Sequence, residues 1–273
     1  MALLQAQALK KSYGPNLVVK GVDLEMRSGE IVGLLGRNGA GTTTIFQMIV
    51  GLVRPDSGSI LLDGVPISSK PTHERAGLGL TYLPQENSVF LKATVEDNIK
   101  IALELQPGSA DRDLESEARQ LLDDLGMTGL AKQSAFSLSG GERRRLEICR
   151  SLALRPKFLL LDEPFTGIDP LTIIDLQRIL GMLRDRSIGI LISDHNVRDT
   201  FRVVRRAYVI DEGEILVEDE PRAITRNAKA RERFLGSDFR MAEEAGPATE
   251  TPGGLPGSLP ENRGRGNNKP RPG

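Results

Sequence analysis

Three short stretches hold residues whose types and spacing could do chemistry. The first is GRNGAGTT at 36–43. Gly36, Gly39 and Gly41 allow the backbone to wrap with its N–H groups turned inward. The run that follows, TTTIFQMIVGL (42–52), reads as a helix with Gly51 near its end, and its positive N-terminal end favours a phosphate. The complete phosphate-loop pattern is G-x-x-x-x-G-K-[ST]. Here Thr42 stands at the lysine position and Thr43 at the hydroxyl position. Thr43 can offer a hydroxyl to Mg2+. The mobile ammonium that reaches the β and γ phosphates is missing.

The second stretch is FLLLDEP (158–164), in which three leucines bury a strand and Asp162 and Glu163 emerge at its C-terminal end. Open α/β sheets bind ligands at that end. One carboxylate can hold Mg2+ through water while the next polarises an attacking water. The third stretch is LSGGERRRLE (138–147). Ser139 reads as a helix cap, Gly140 and Gly141 leave backbone N–H groups bare, and a helix begins near Glu142. This is a second anion-binding surface, far along the chain from the first. The Arg143–Arg145 run taken alone reads as a solvated face.

The elements that must position these residues follow from periodicity. Residues 3–35 alternate apolar and polar with glycine turns at Gly14, Gly21 and Gly29, which reads as short strands. IVGLLG (31–36) is a buried strand entering a tight loop, and SGSILLDGVPI (57–67) is a strand–turn–strand at an edge. From about 93 to 156 the pattern is helical. Thr94 caps VEDNIKIALEL, where Val95, Ile99 and Leu103 share a face. DLESEARQLLDDLG places Leu114, Ala118, Leu121, Leu122 and Leu125 on one side. Strands KFLLLDEP and IGILISDH and the β pattern AYVIDEGEILVE complete the order. Strands alternating with helices predict an α/β fold with a mainly parallel sheet, helices on both faces and an antiparallel β edge.

The chain has 273 residues, a net charge of −1, 39% hydrophobic and 27% charged residues. That balance argues against nucleic acid as a partner. No apolar run approaches a bilayer span, and the start MALLQAQALKKSYG is too polar for a signal peptide, so a cytoplasmic location is expected. The single cysteine, Cys149, excludes an internal disulfide and reads as a small core residue. Two histidines, His73 and His195, are too few for a histidine-based metal site. Residues 245–273 contain seven glycines and six prolines and few large apolar side chains, the composition of a disordered tail with a basic end. One domain is expected over 1–244.

LSGGE between a phosphate loop and an LLLDEP strand, in that order, resembles the ABC ATPases over roughly residues 3–235. The resemblance implies a P-loop NTPase core with an inserted α-helical subdomain at about 88–157, and ATP with Mg2+ as ligands. It assigns Gly36, Arg37, Asn38, Gly39, Ala40, Gly41, Thr42, Thr43 and Thr44 to the nucleotide, and Tyr13 to the adenine. Gln85, in YLPQ, corresponds to the glutamine that senses Mg2+ and meets the membrane partner. Thr43, Gln85 and Asp162 would serve the metal. Gly167, Ile168 and Asp169 correspond to a loop that communicates across a dimer, and His195, in SDHN, to the γ-phosphate contact. Glu163 would be the base. Two copies would pair head to tail, so that ATP on one phosphate loop faces Ser139, Gly140 and Gly141 of the other. Transmembrane permease subunits would receive the motion through the helical insert and the loop around Gln85, holding the chain at the cytoplasmic face of the inner membrane.

Within that family YLPQENSVF (82–90), SDHNVRDT (193–200) and RERFLGSDFR (231–240) resemble the ATPases of lipopolysaccharide export, with those of branched-chain amino-acid importers as the rival. The former implies a pair of membrane proteins as partners, with Phe90 and Leu91 lining the groove that receives them. Thr42 departs from the family pattern. It leaves two expectations: a working transport ATPase, or a nucleotide-responsive structural subunit that dimerises and hardly hydrolyses.

Overall fold

The computed structural model describes residues 1–236, 239 and 241, so the expected tail at 245–273 lies outside the described residues. The chain divides into Met1–Phe239 and Arg240–Gly273, and the first unit holds the elements that follow. Its strands are β1 (Leu3–Tyr13), β2 (Asn16–Arg27), β3 (Ile31–Gly36), β4 (Ser57–Leu62), β5 (Val65–Pro66), β6 (Leu80–Leu83), β7 (Phe158–Asp162), β8 (Gly189–Ser193), β9 (Arg206–Asp211) and β10 (Glu214–Asp219). Its helices are α1 (Thr42–Val50), α2 (Thr72–Gly77), α3 (Val95–Glu104), α4 (Leu114–Asp124), α5 (Gly140–Ala153), α6 (Pro170–Asp185), α7 (Val197–Phe201), α8 (Pro221–Arg226) and α9 (Ala228–Ala230).

Two sheets form. One is antiparallel, in the order β2-β1-β4-β5. The other runs β10-β9-β3-β8-β7-β6 and is parallel except for the terminal β9–β10 hairpin. β3, β7 and β8 read as unbroken apolar runs because both faces are covered, and every residue of β7 and β8 is buried. The core lies between the sheets around α1, where Ile45, Phe46, Met48 and Ile49 pack with Leu4, Leu9 and Met26 on one side and Leu34, Leu160 and Tyr208 on the other. No helix among the described residues is long and apolar enough to cross a membrane.

The expectation of several short strands in 3–35 is corrected. β1 and β2 are long, at 11 and 12 residues, and Gly21 lies inside β2 rather than at a turn. Its φ of +113° falls where the β1–β2 register slips between Leu9↔Val22 and Lys10↔Lys20. Glycine is needed there for a bulge, and composition alone does not separate a bulge from a turn. The connection from β6 to β7 carries α3, α4 and α5. Thr94 caps α3 by accepting from the Asp97 N–H, and Val95, Ile99 and Leu103 are buried as expected. On α4 and just beyond it Ala118, Leu122 and Leu125 are buried, while Leu114 and Leu121 are only partly covered. α5 starts at Gly140, two residues before the expected Glu142. Burial pushes the Cys149 thiol up to about 12, so it is an inert core residue.

Candidate nucleotide site

Register alone brings most of the sequence-predicted residues to one edge. Leu34 of β3 pairs with Ser193 of β8, and Ser193 pairs with Asp162 of β7, so β3, β8 and β7 end side by side. The loop after β3, the acids after β7 and His195 after β8 therefore emerge together.

The loop between β3 and α1 doubles back on itself. A Cβ on Gly36 would lie 2.8 Å from the Ile210 carbonyl oxygen and 2.9 Å from the Ala40 Cβ, so no side chain fits there. Gly39 and Gly41 hold φ of +83° and +102°, open to glycine at little cost. Arg37, Asn38, Gly39 and Thr43 are exposed, Thr42 and Thr44 are partly covered, and Ala40 is buried. α1 has no side-chain cap and no acidic residue in its first turn. Nothing therefore competes there for an anion, and the helix end presents donors and a partial positive charge. The structure fits a phosphate at this loop, and the same backbone tolerates threonine at position 42.

Across the strand ends, Glu163 has φ +45°, an uncommon conformation for a non-glycine residue, fixed by a 2.6 Å bond from its N–H to the Ser193 carbonyl. Its Oε2 accepts from Gln85 Nε2 at 2.8 Å and lies 3.5 Å from His195 Nδ1. Gln85 reaches it from the loop after β6. Asp162 is 6% exposed, and burial holds its carboxyl above the usual carboxylate range. The Tyr82 hydroxyl donates to it at 3.1 Å. Burial likewise raises Asp194, whose two oxygens accept from the N–H groups of Phe165 and Asn196, fixing the turns that carry Glu163 and His195. The Thr166 hydroxyl stands 3.5 Å from His195 Nδ1. Sequence reading missed Tyr82, Asp194 and Thr166. Their one available signal was a polar group at the end of an apolar strand, beside a residue already singled out.

A cleft of about 580 Å³ opens beside the loop, bordered by Gly36, Arg37, Asn38, His195, Arg198 and Phe239. The Tyr13 ring is half exposed at the end of β1. It sits on the loop's side of the molecule, because the Val18 carbonyl, a few residues on, is 3.0 Å from where a Gly41 Cβ would be. Among the described residues no cluster of three or more His, Cys, Asp or Glu side chains forms a metal centre of its own. A divalent cation bound here would draw on Thr43, Asp162 and Gln85 together with its ligand's oxygens.

Ser139, Gly140 and Gly141 stand apart from this assembly. Ser139 and Glu142 form a capping box at the start of α5. A Cβ on Gly141 would meet Thr172 Oγ1 at 2.6 Å, which seats α5 against the first turn of α6. Asp169 caps α6, accepting from the Leu171 and Thr172 N–H groups and the Thr172 hydroxyl. None of the hydrogen bonds among the described residues joins Ser139–Glu142 to Gly36–Thr44.

Comparison with known proteins agrees with this fold. The family described as ABC transporter matches residues 19–166. The lipopolysaccharide export system ATP-binding protein LptB of Acidithiobacillus ferridurans is 49% identical over 239 residues, 88% of this chain and 99% of the relative. LptB of Escherichia coli (strain K12) is 46% identical over 241 residues, 88% of this chain and 100% of the relative. A solved ATP-binding cassette of an ABC transporter in its ADP conformation superposes with a TM-score of 0.79 at 25% identity, over 86% of this chain and 99% of that one. The chain belongs to the ABC transporter family, as one of its ATP-binding proteins.

Proposed function

We propose that this chain binds ATP with Mg2+, pairs with a second copy around the nucleotide and drives lipopolysaccharide extraction through two membrane partners. The observation that carries this reading is the convergence of Gln85, Glu163 and His195 beside the glycine loop, at 2.8 Å and 3.5 Å. The ATPase domain covers 1–244, the helical subdomain about 88–157, and the chain sits at the cytoplasmic face through its partners. Identity to the lipopolysaccharide export proteins over nearly their whole length supports that cargo over amino-acid import.

The roles follow from position. The first turn of α1 and the Gly39–Gly41 backbone hold the phosphates, and Tyr13 stacks on the base. Mg2+, when bound, neutralises charge on the phosphate oxygens and orders them. Asp162, Thr43 and Gln85 supply its protein side. Glu163 takes the proton of the attacking water, aimed by the Gln85 amide, and His195 holds the γ-phosphate. Ser139, Gly140 and Gly141 serve the nucleotide of the other copy, with Asp169 at the crossing, which accounts for their separation from Gly36–Thr44 within one chain. Phe90 and Leu91, both partly exposed, face the membrane partners.

Thr42 favours a second reading, a subunit that closes on ATP and hardly hydrolyses it. Reconstitution with lipopolysaccharide export membrane partners in proteoliposomes separates the two. ATP-driven lipopolysaccharide release that fails with Glu163→Gln supports the first, with a rate loss of about 10²–10⁴ for a removed base. Nucleotide-dependent closure without release in either protein sinks it in favour of the second.

A further inference from the structure

Arg75, on the short helix α2, is the largest fully buried side chain among the described residues, at 1% exposure. A buried guanidinium is ordinarily paired with a carboxylate. Among the described residues none lies within ion-pair distance of Arg75. Its donors are spent instead on main-chain carbonyls from two segments. Nη1 donates to Met48 and Ile49 at 2.7 and 2.6 Å. Nε donates to Lys70 at 2.8 Å and Nη2 to Ser68 at 2.9 Å. Met48 and Ile49 lie in the last turn of α1, where the regular helical partners run out. Besides Arg75, among the described residues the Met48 carbonyl accepts only from the Gly51 N–H that caps the helix, at 3.2 Å. A cation there also meets the negative end of the helix dipole.

The surroundings are shaped to admit it. Gly51 closes α1 with φ +86°, and a Cβ on it would fall 2.8 Å from Arg75 Nε and 3.0 Å from Cζ. The glycine that ends the phosphate-facing helix is thus also the glycine that makes room for the guanidinium. On its other side Arg75 belongs to the turn that feeds β6, since the Leu78 and Gly79 N–H groups bond to the Arg75 and Ala76 carbonyls and β6 begins at Leu80. β6 carries Tyr82 and ends two residues before Gln85. α1, at nine residues, is a rod of about 13 Å with the glycine loop at one end and Arg75 at the other.

We infer that Arg75 is a positioning residue that locks the phosphate-facing helix to the strand that leads to Gln85, so that a displacement of α1 is transmitted to the Gln85–Glu163 contact. This rests on the nucleotide reading above. Lysine cannot replace it, because one ammonium cannot span four carbonyls in two segments.

The test compares Arg75→Gln and Arg75→Lys with the original full-length chain. Amide hydrogen exchange is followed without nucleotide in the segments 47–53, 78–86 and 170–185. Both variants should lose protection in 47–53 and 78–86 together, by about tenfold or more, with 170–185 unchanged. Loss in only one of the first two, or equal loss in all three, overturns the proposal. Mg2+·ATP binding and phosphate release are then measured with Gln85 or Gln85→Ala. Arg75→Gln should lower release about tenfold beside Gln85, shift the dissociation constant much less, and add less than about twofold beside Gln85→Ala. Equal factors in both backgrounds overturn it. If the original chain binds no Mg2+·ATP, the nucleotide reading fails, and the exchange comparison still decides whether Arg75 joins the two segments.

Discussion

Replacing Thr42 with lysine is expected to raise ATP turnover sharply. Thr42 is the first residue of α1 and is partly covered. Its Cγ2 lies 3.0 Å from where a Cβ on Gly36 would be, and Gly36 has none. A lysine Cγ can take the same place without displacing the loop. The first turn of α1 holds no carboxylate to capture the new ammonium. Without nucleotide, a cation at a helix N-terminus is unfavourable by about 0.3–1 kcal/mol, so the empty protein should be no more stable than the original. With nucleotide, a hydrogen bond to a charged group contributes about 1.5–3 kcal/mol, which is roughly 10- to 150-fold in affinity. If the ammonium follows the phosphate into the transition state, the gain in rate should be about 10²–10³, by analogy with a single oxyanion donor. The gain should then appear more in kcat than in KM. The assay is steady-state phosphate release by both proteins assembled with membrane partners, alongside titration with ATP and a melting curve. Equal rates would refute the reasoning and show that a charge already at the cleft, with Arg37 first, does the lysine's work.

Asp162→Asn should melt at a higher temperature at neutral pH while losing Mg2+-dependent turnover. Burial raises the carboxyl above its usual range, so the folded chain holds that proton to higher pH than the unfolded chain. Stability from this group therefore falls as pH rises through the interval, and the ionised form is a cost at pH 7; an unchanged or lower melting temperature would contradict this. Glu96 has the opposite sign. Lys100 and Lys132 hold its carboxyl down to about 2, so its contribution should be complete above about pH 4.5 and be lost as pH falls towards 2. Glu96→Gln should flatten the acid limb of stability measured by urea unfolding between those values, and an unaltered limb would contradict the assignment.

The parallel character of the main sheet and the edge that carries the site residues were legible because β3, β7 and β8 are unbroken apolar runs with a glycine, an acid or a histidine at or just beyond their ends; the order of the strands was not. Buried parallel strands require that pattern, and their C-terminal ends are where ligands bind. Three features stayed hidden for identifiable reasons. Gly21 looks like a turn because a bulge and a turn ask the same freedom of a glycine. Tyr82 and Asp194 act through residues distant in sequence, and only strand pairing places them beside Asp162 and Glu163. Arg75 sits in a polar stretch, THERAG, whose composition gives no sign of burial. Its burial comes from four carbonyls whose directions depend on where α1 ends. The Asp169 cap of α6, by contrast, carries a recognisable signal, Asp before Pro at a helix start, which the reading of Asp169 as a loop residue passed over.

In the proposed dimer one nucleotide site takes its glycine loop from one copy and Ser139–Gly141 from another. Sedimentation velocity of the full chain with Mg2+ and a non-hydrolysable ATP analogue tests it most directly, beside Ser139→Arg checked for its fold by circular dichroism and for nucleotide binding by titration. The original chain should form a dimer only with nucleotide, and the Ser139→Arg chain should bind nucleotide yet stay monomeric. A Ser139→Arg chain that dimerises as the original does would contradict the shared site.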